Sequence, residues 1–160
     1  MSVDLSRRSL LFGRKPAQEP VNVFRPPWAN ERFTDICTRC AECITVCPSQ
    51  VIVKGDAGFP EIDYKYGECT FCGECRDVCQ PKALSAEDPW HRHVQIGAQC
   101  IAYSGVDCRV CGEVCDTAAI KFALQVGTVA QPQLNIDACT GCGACMTSCP
   151  TAAIQMLQAK

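Results

Sequence analysis

The chain has 160 residues, enough for one domain or two small ones, and carries 15 Lys and Arg against 17 Asp and Glu, a net charge of −2. So even a balance offers nothing to nucleic acid or to an anionic membrane surface. Sixteen cysteines beside only two Trp, three Tyr and six Phe exclude a fold held by a large apolar core and call for some other staple.

Residues 1–28 come first and contain no cysteine. They hold Arg7, Arg8, Arg14, Lys15 and Arg25 against Asp4 and Glu19, a net of +3 (five minus two). A basic, mobile arm is predicted, leaving through FRPPW in a polyproline-like exit. Within it SRRSLLFGRK, residues 6–15, looks like the opening of a twin-arginine export signal. A working signal needs roughly 7–15 apolar residues and then a small-residue cleavage site. Here Leu10, Leu11 and Phe12 run at once into Gly13, Arg14, Lys15 and Pro16. Export incompetence and a cytoplasmic location are therefore expected, which suits abundant reduced thiols. Arg7 and Arg8 are left as a solvated tail or, with Leu10 to Phe12, as a candidate docking segment for a partner or for anionic lipid.

The chain then repeats itself four times, each copy ending in a cysteine 32, 36 and 34 residues after the one before. Copy one is CTRCAECITVCP, with Cys37, Cys40, Cys43 and Cys47. Copy two is CTFCGECRDVCQ, with Cys69, Cys72, Cys75 and Cys79. Copy three, CIAYSGVDCRVCGEVCD, is stretched: Cys100 stands well ahead of Cys108, Cys111 and Cys115. Copy four is CTGCGACMTSCP, with Cys139, Cys142, Cys145 and Cys149. A short helix is expected from the third to the fourth cysteine of each copy, limited by the Pro or turn residue after it. QVIVKG and the Ile62–Tyr64 alternation after copy one, and AAIKFAL and QPQLNID after copy three, read as strand pairs. AAIQML closes the chain as another strand. Residues 84–99 do not repeat and read as a junction. The expected domains are an arm at 1–28, a module at 29–86, a junction at 87–98 and a module at 99–160.

Three cysteines at three-residue intervals let one tight loop set three thiolates around a small metal cluster, with backbone N–H groups turned toward the sulfurs. The fourth cysteine is carried off on the helix and in paired-cluster ferredoxins ligates the other cluster. Zinc sites group their ligands differently, as two C-x2-C knuckles a dozen or more residues apart. Disulfides suit widely spread cysteines in an oxidising compartment. The run therefore predicts [4Fe–4S] clusters, and four sets of four consume all sixteen cysteines. The stretched third site is expected to be the most labile, its wider loop covering a cluster with fewer ordered amides. Four oxidised clusters would take the net charge to roughly −10 by charge counting. An acidic body of that kind suits docking on a protein partner with a basic face.

Other chemistry finds little support. His91 and His93 in PWHRHV lack neighbouring ligands and read as junction residues; Trp28 and Trp90 read as packing lids. No G-x-G-x-x-G or Walker run suggests a nucleotide, no Ser–His–carboxylate set suggests hydrolysis, and no apolar run approaches the ~18–20 residues that span a bilayer. A non-catalytic role follows.

The hairpins between copies one and two, and between three and four, resemble the two-cluster bacterial ferredoxin repeat. An α+β fold is implied: two tandem ferredoxin-like modules of short strands and short helices behind the basic arm. The resemblance also implies sequential pairing, Cys37, Cys40 and Cys43 with Cys79, and Cys69, Cys72 and Cys75 with Cys47. In the second half it joins Cys100, Cys108 and Cys111 to Cys149, and Cys139, Cys142 and Cys145 to Cys115. A nested arrangement, with the first copy paired to the last as in four-cluster subunits of molybdenum oxidoreductases, is the alternative.

SRR near the start, RPPW before the first CTRC, the stretched CIAYSGVDCRVC and the closing QPQLN with CTGCGACMTSCPTAAI together resemble the NapF family. These are ferredoxin-type accessory proteins of the periplasmic nitrate reductase system. The resemblance spans essentially the whole chain, and the stretched copy is its most discriminating part. It implies a cytoplasmic iron–sulfur protein that binds the catalytic subunit precursor of the reductase and helps it acquire its own cluster before export. A polyferredoxin passing single electrons, or a subunit of a larger oxidoreductase, are the competing functions. Gln80 and Asp116 depart from the Pro that usually follows the fourth cysteine; both should affect the turn there and not the ligation.

Overall fold

The computed structural model describes residues 24–55, 57–123 and 126–158. Residues 1–23, with Arg7 and Arg8, lie outside them. Phe24 to Trp28, assigned from sequence to the arm, belong to the body: Pro26, Pro27 and Trp28 are buried, and Phe24 O accepts from Ile62 N at 2.7 Å. Two prolines without N–H groups fit an extended segment whose partner lies on one side only.

Each half repeats one plan. In the first, α1 (Phe33–Ile36) leads into copy one, α2 (Glu42–Val46) carries its third cysteine, and the β1–β2 hairpin (Ile52–Lys54, Pro60–Ile62) follows. Copy two then runs into α3 (Glu74–Asp77). In the second half the same parts are α4 (Val110–Glu113), the β4–β5 hairpin (Ile120–Ala123, Gln131–Leu134), a 3₁₀ turn (Ile136–Ala138) and α5 (Ala144–Ser148). Both hairpins are antiparallel, with Ile52 opposite Ile62 and Ile120 opposite Leu134. Helices of four or five residues are too short to be stable alone; α2 to α5 are each seeded by the cysteine loop in front of them, and α1 is capped at its end by Cys37.

The halves are closed differently. β3 (Arg92–Ile96) pairs antiparallel with β6 (Ile154–Gln158) over five residue pairs, from Arg92 opposite Gln158 to Ile96 opposite Ile154. The corresponding closure of the first half is a single bridge, Ala29 to Leu84, flanked by Asn30 N to Ala83 O at 3.2 Å and Ala86 N to Trp28 O at 2.9 Å. The stretch expected to be a junction, 87–98, thus contains a strand of the second half: Val94 alternates inward and is 1% exposed against Met156 at 3%.

The apolar core is thin. Phe33, Leu84, Val51 and Val94 are its largest fully buried members apart from Pro26 and Pro27, and cysteines from all four copies join the same buried cluster. Among the described residues no helix is long and apolar enough to cross a membrane.

Candidate metal centres

Three of the four cysteine loops share one backbone. The residues just before and just after the second cysteine take left-handed φ: Arg39 (61°) and Ala41 (66°), Phe71 (53°) and Gly73 (85°), Gly141 (72°) and Gly143 (89°). The second of each pair starts the helix that carries the third cysteine inward. Alternating handedness of this kind aims successive N–H groups at one point, a nest for an anion. Beyond the fourth cysteine all four copies turn alike. Gln50 N bonds Cys47 O at 3.1 Å, Lys82 N bonds Cys79 O at 3.1 Å, Ala118 N bonds Cys115 O at 2.8 Å, and Ala152 N bonds Cys149 O at 3.2 Å. Gln80 and Asp116 therefore do not alter that turn, because its geometry rests on the left-handed residue three positions after the cysteine.

Copy three differs where it is stretched. Arg109, ahead of its helix, sits at φ −130°, and Gly105 alone among residues 100–115 is left-handed. The extra residues coil on themselves: Tyr103 N bonds Cys100 O, Ser104 N and Val106 N bond Ile101 O, and Gly105 N bonds Ala102 O, all within 3.2 Å. The amides of residues 103–106 are spent locally and are not free for a sulfur. The loop is nevertheless a cover, with Ala102 buried and Ile101 lining the cavity beside Cys100 and Cys108.

The folded chain gathers the cysteines into four quartets, each drawn from two copies. Cys37, Cys40, Cys43 and Cys79 line one cavity with Phe33, Pro60 and Leu84. Cys69, Cys72, Cys75 and Cys47 line a second with Trp28 and Val51. Cys100, Cys108, Cys111 and Cys149 line a third with Ile101 and Phe122. In the fourth quartet Cys145 stands within electrostatic reach of Cys139, Cys142 and Cys115. Copy one is thus closed by copy two and copy three by copy four, not copy one by copy four. Cys40 and Cys72 are exposed, whereas Cys43, Cys75, Cys79, Cys111 and Cys145 are buried.

Burial, reinforced by neighbouring thiols, pushes Cys43 and Cys111 up to about 11 and Cys75 and Cys145 up to about 12. Cys69 is pushed up to about 11 by burial and by Cys47, Cys72 and Cys142, against a hydrogen bond at Phe71. Those thiols are protonated in the iron-free chain, so loading must release protons. Cys115 and Cys149 are opposite. Burial works against their ionisation, yet hydrogen bonding at Ile120 and Thr117, and at Ala153 and Thr151, takes both below the usual thiol range.

The residues fit iron–sulfur clusters and not a single ion. Among the described residues no three His, Cys, Asp or Glu side chains lie close enough together to share one metal ion. Each lined cavity instead puts thiols around apolar walls, and three of the four loops supply an anion nest.

The two halves meet through quartets two and four. Cys69 N donates to Cys142 O at 2.8 Å. Tyr64 Oη donates to Gly141 O at 2.9 Å, and Thr147 Oγ1 donates to Tyr64 O at 2.8 Å. Gly143 is required twice over: its φ is left-handed and a Cβ would run into the Tyr64 ring. Trp28, Phe71 and Trp90 make a chain of edge-to-face contacts across the seam, at 6.3 and 6.0 Å. Cys43 and Cys75 feel each other within the first half, as do Cys111 and Cys145 within the second. The quartets therefore run one, two, four, three, with the stretched copy at one end. Sequence reasoning missed Tyr64, Thr147 and this order; the Gly141 and Gly143 pair in CTGCGAC was the available signal.

Comparison with known proteins agrees with the donor set. Residues 36–84 match the 4Fe-4S dicluster domain and residues 132–155 match the 4Fe-4S binding domain. The chain is 49% identical over 136 residues to the ferredoxin-type protein NapF of Haemophilus influenzae, covering 82% of this chain and 77% of that one. It is 39% identical over 158 residues to the ferredoxin-type protein NapF of Escherichia coli strain K12, covering 96% and 95%. A methylamine utilization ferredoxin-type protein, MauM of Methylorubrum extorquens, is 29% identical over 147 residues, 78% of this chain and 67% of that one. With its thiol-lined cavities and relatives of this similarity over most of its length, the chain is a 4Fe–4S-binding protein of the NapF family of ferredoxin-type proteins.

Proposed function

We propose that the four quartets each hold one [4Fe–4S] cluster, with three thiolates from one copy and the fourth from its neighbour. The observation that carries this is the gathering of all sixteen cysteines into four sets, each built from two copies. The protein would then be a cytoplasmic, non-catalytic accessory that binds the catalytic subunit precursor of periplasmic nitrate reductase and helps it acquire its own cluster before export. Membership of the NapF family supports that role, and so does the stretched site: a loop whose amides are engaged elsewhere grips an anionic cargo less firmly than a nest does. Arg7 and Arg8 are the proposed contact of the arm with that precursor.

Anaerobic purification with iron and acid-labile sulfide counts is the first test, and about 16 of each per chain is expected from cluster stoichiometry. Mixing the loaded protein with the iron-free reductase precursor is the second. Stoichiometric loss of iron to the precursor supports donation; retention of all iron through repeated cycles overturns it. The row of quartets favours the alternative in that case, a carrier of single electrons, because each site has a neighbour within electrostatic reach.

A further inference from the structure

A charged side chain in a strand pair belongs on its wet side. Arg92, the first residue of β3, is instead 9% exposed and is the one buried charged side chain among the described residues. Its guanidinium carbon lies 4.5 Å from the centre of the Phe24 ring and 4.4 Å from that of Trp90. Arg39 and Arg76 also stand over rings, those of Phe59 and Trp28, but at exposed positions. Ring contacts offset only part of what a cation loses on leaving water.

Asp88 and Asp137 line the same cavity as Arg92, but among the described residues no ion pair is formed with it. Lys65–Asp63, Arg76–Asp77 and Arg109–Asp107 are ion pairs of the described residues, and all three are partly or largely exposed. Arg92 Nη1 is buried without a hydrogen-bond partner, and so is Nε1 of Trp90 beside it. A cation in that state favours further negative charge close by, and Cys139 of the fourth quartet lines the same cavity.

The surroundings say which anion. Arg92 is electrostatically coupled to Tyr64, whose hydroxyl is bonded to Gly141 O between Cys139 and Cys142. Tyr64 in turn lies within electrostatic reach of Cys69, Cys142 and Cys139. Gly141 itself is packed on the same side: a Cβ there would stand 2.9 Å from Arg92 O and 3.1 Å from Trp90 Nε1. Arg92 is thus seated at the seam where quartets two and four meet.

We propose that Arg92 is the buried counter-charge of the two inner cysteine quartets and raises the reduction potentials of the centres they hold. This rests on the reading that both quartets carry [4Fe–4S] clusters, each about −2 with its thiolates by charge counting. Adding an electron makes a centre more negative. A fixed cation in a low-dielectric seam stabilises the reduced form more than the oxidised one, and so favours reduction. Arg92 is a positioning residue in this sense; it ligates nothing.

The test compares anaerobic wild-type protein with Arg92→Met and Arg92→Lys, by iron and sulfide content and by a redox titration followed by electron paramagnetic resonance. Arg92→Met should keep its iron while two of the four centres become harder to reduce, by about tenfold in the reduced-to-oxidised ratio, ~59 mV for one electron. Arg92→Lys should titrate within a third of that shift from wild type. Loss of iron in Arg92→Met alone, with Arg92→Lys loaded, supports the charge as well. Unchanged potentials in a loaded Arg92→Met, or equal iron loss in both variants, overturns the proposal, since packing then explains the residue. Wild-type protein with too little iron to fill the inner quartets fails the underlying reading instead, and this shows before any variant is titrated.

Discussion

Copies one, two and four hold their cysteines on one backbone and copy three holds the same four thiols on another. In the first group, left-handed residues flank the second cysteine on both sides, and the freed amides converge. In copy three the seven residues between Cys100 and Cys108 close into turns of their own. The thiol chemistry is equal. The grip on negative charge is not, because the amides of residues 103–106 are already bonded and no left-handed pair flanks Cys108. Cysteine spacing thus sets where sulfur goes, while the backbone between cysteines sets how tightly an anionic centre is kept.

The broadest attempt to erase this contrast removes the iron altogether. Anaerobic treatment with a strong chelator should cost the protein its cooperative fold, with loss of circular dichroism and onset of proteolysis, because the apolar core is too thin to stand alone. Retention of the folded signal without iron would mean that neither kind of loop depends on its centre. A narrower test sets two left-handed glycines against each other. Gly143→Ala meets the Tyr64 ring and a forbidden φ, and should destabilise by about 3 kcal/mol. Gly105→Ala in the stretched loop has no atom within 4 Å of its new Cβ and should cost only about 1 kcal/mol. Anaerobic thermal melts compare them directly.

Release kinetics sharpen the contrast further. The centre held by Cys100, Cys108, Cys111 and Cys149 should leave about tenfold faster than the others, as ~1.4 kcal/mol of missing amide contacts would give. Cys108→Ser should abolish the fast phase of iron release, and Cys40→Ser should leave it in place. The mildest change is Thr147→Val, which removes the hydroxyl bonds to Tyr64 O and Gly67 O. It should lower stability by about 1 kcal/mol without altering the order of release.

Local features of this molecule were legible in its sequence, and distant ones were not. The C-x2-C-x2-C-x3-C runs announced the thiol loops, and the alternation through Ile62 and Tyr64 announced the first hairpin, because each is complete within a dozen residues. RHVQI reads as part of a junction because its partner, IQMLQ, lies some sixty residues on, and a five-residue pattern has no period long enough to declare itself. Pro26 and Pro27 suggest an exit from the fold; both are buried, and Pro27 is part of the wall of the second cysteine cavity beside Val51 and Ile52. Arg92 gave no signal at all. Its meaning depends on Phe24, Tyr64, Trp90 and Gly141, four positions brought to it only by tertiary contact.

Among the described residues eight other than glycine, including Arg39, Ala41, Phe71, Lys82 and Ala152, hold φ between 49° and 66°. Each such residue costs about 1–2 kcal/mol, and a domain is stable by only roughly 5–15 kcal/mol. If the quartets hold clusters as proposed, this strain falls on the empty chain without the centres that would offset it, and the amount of protein in iron-starved cells is expected to fall as the iron-free form is degraded.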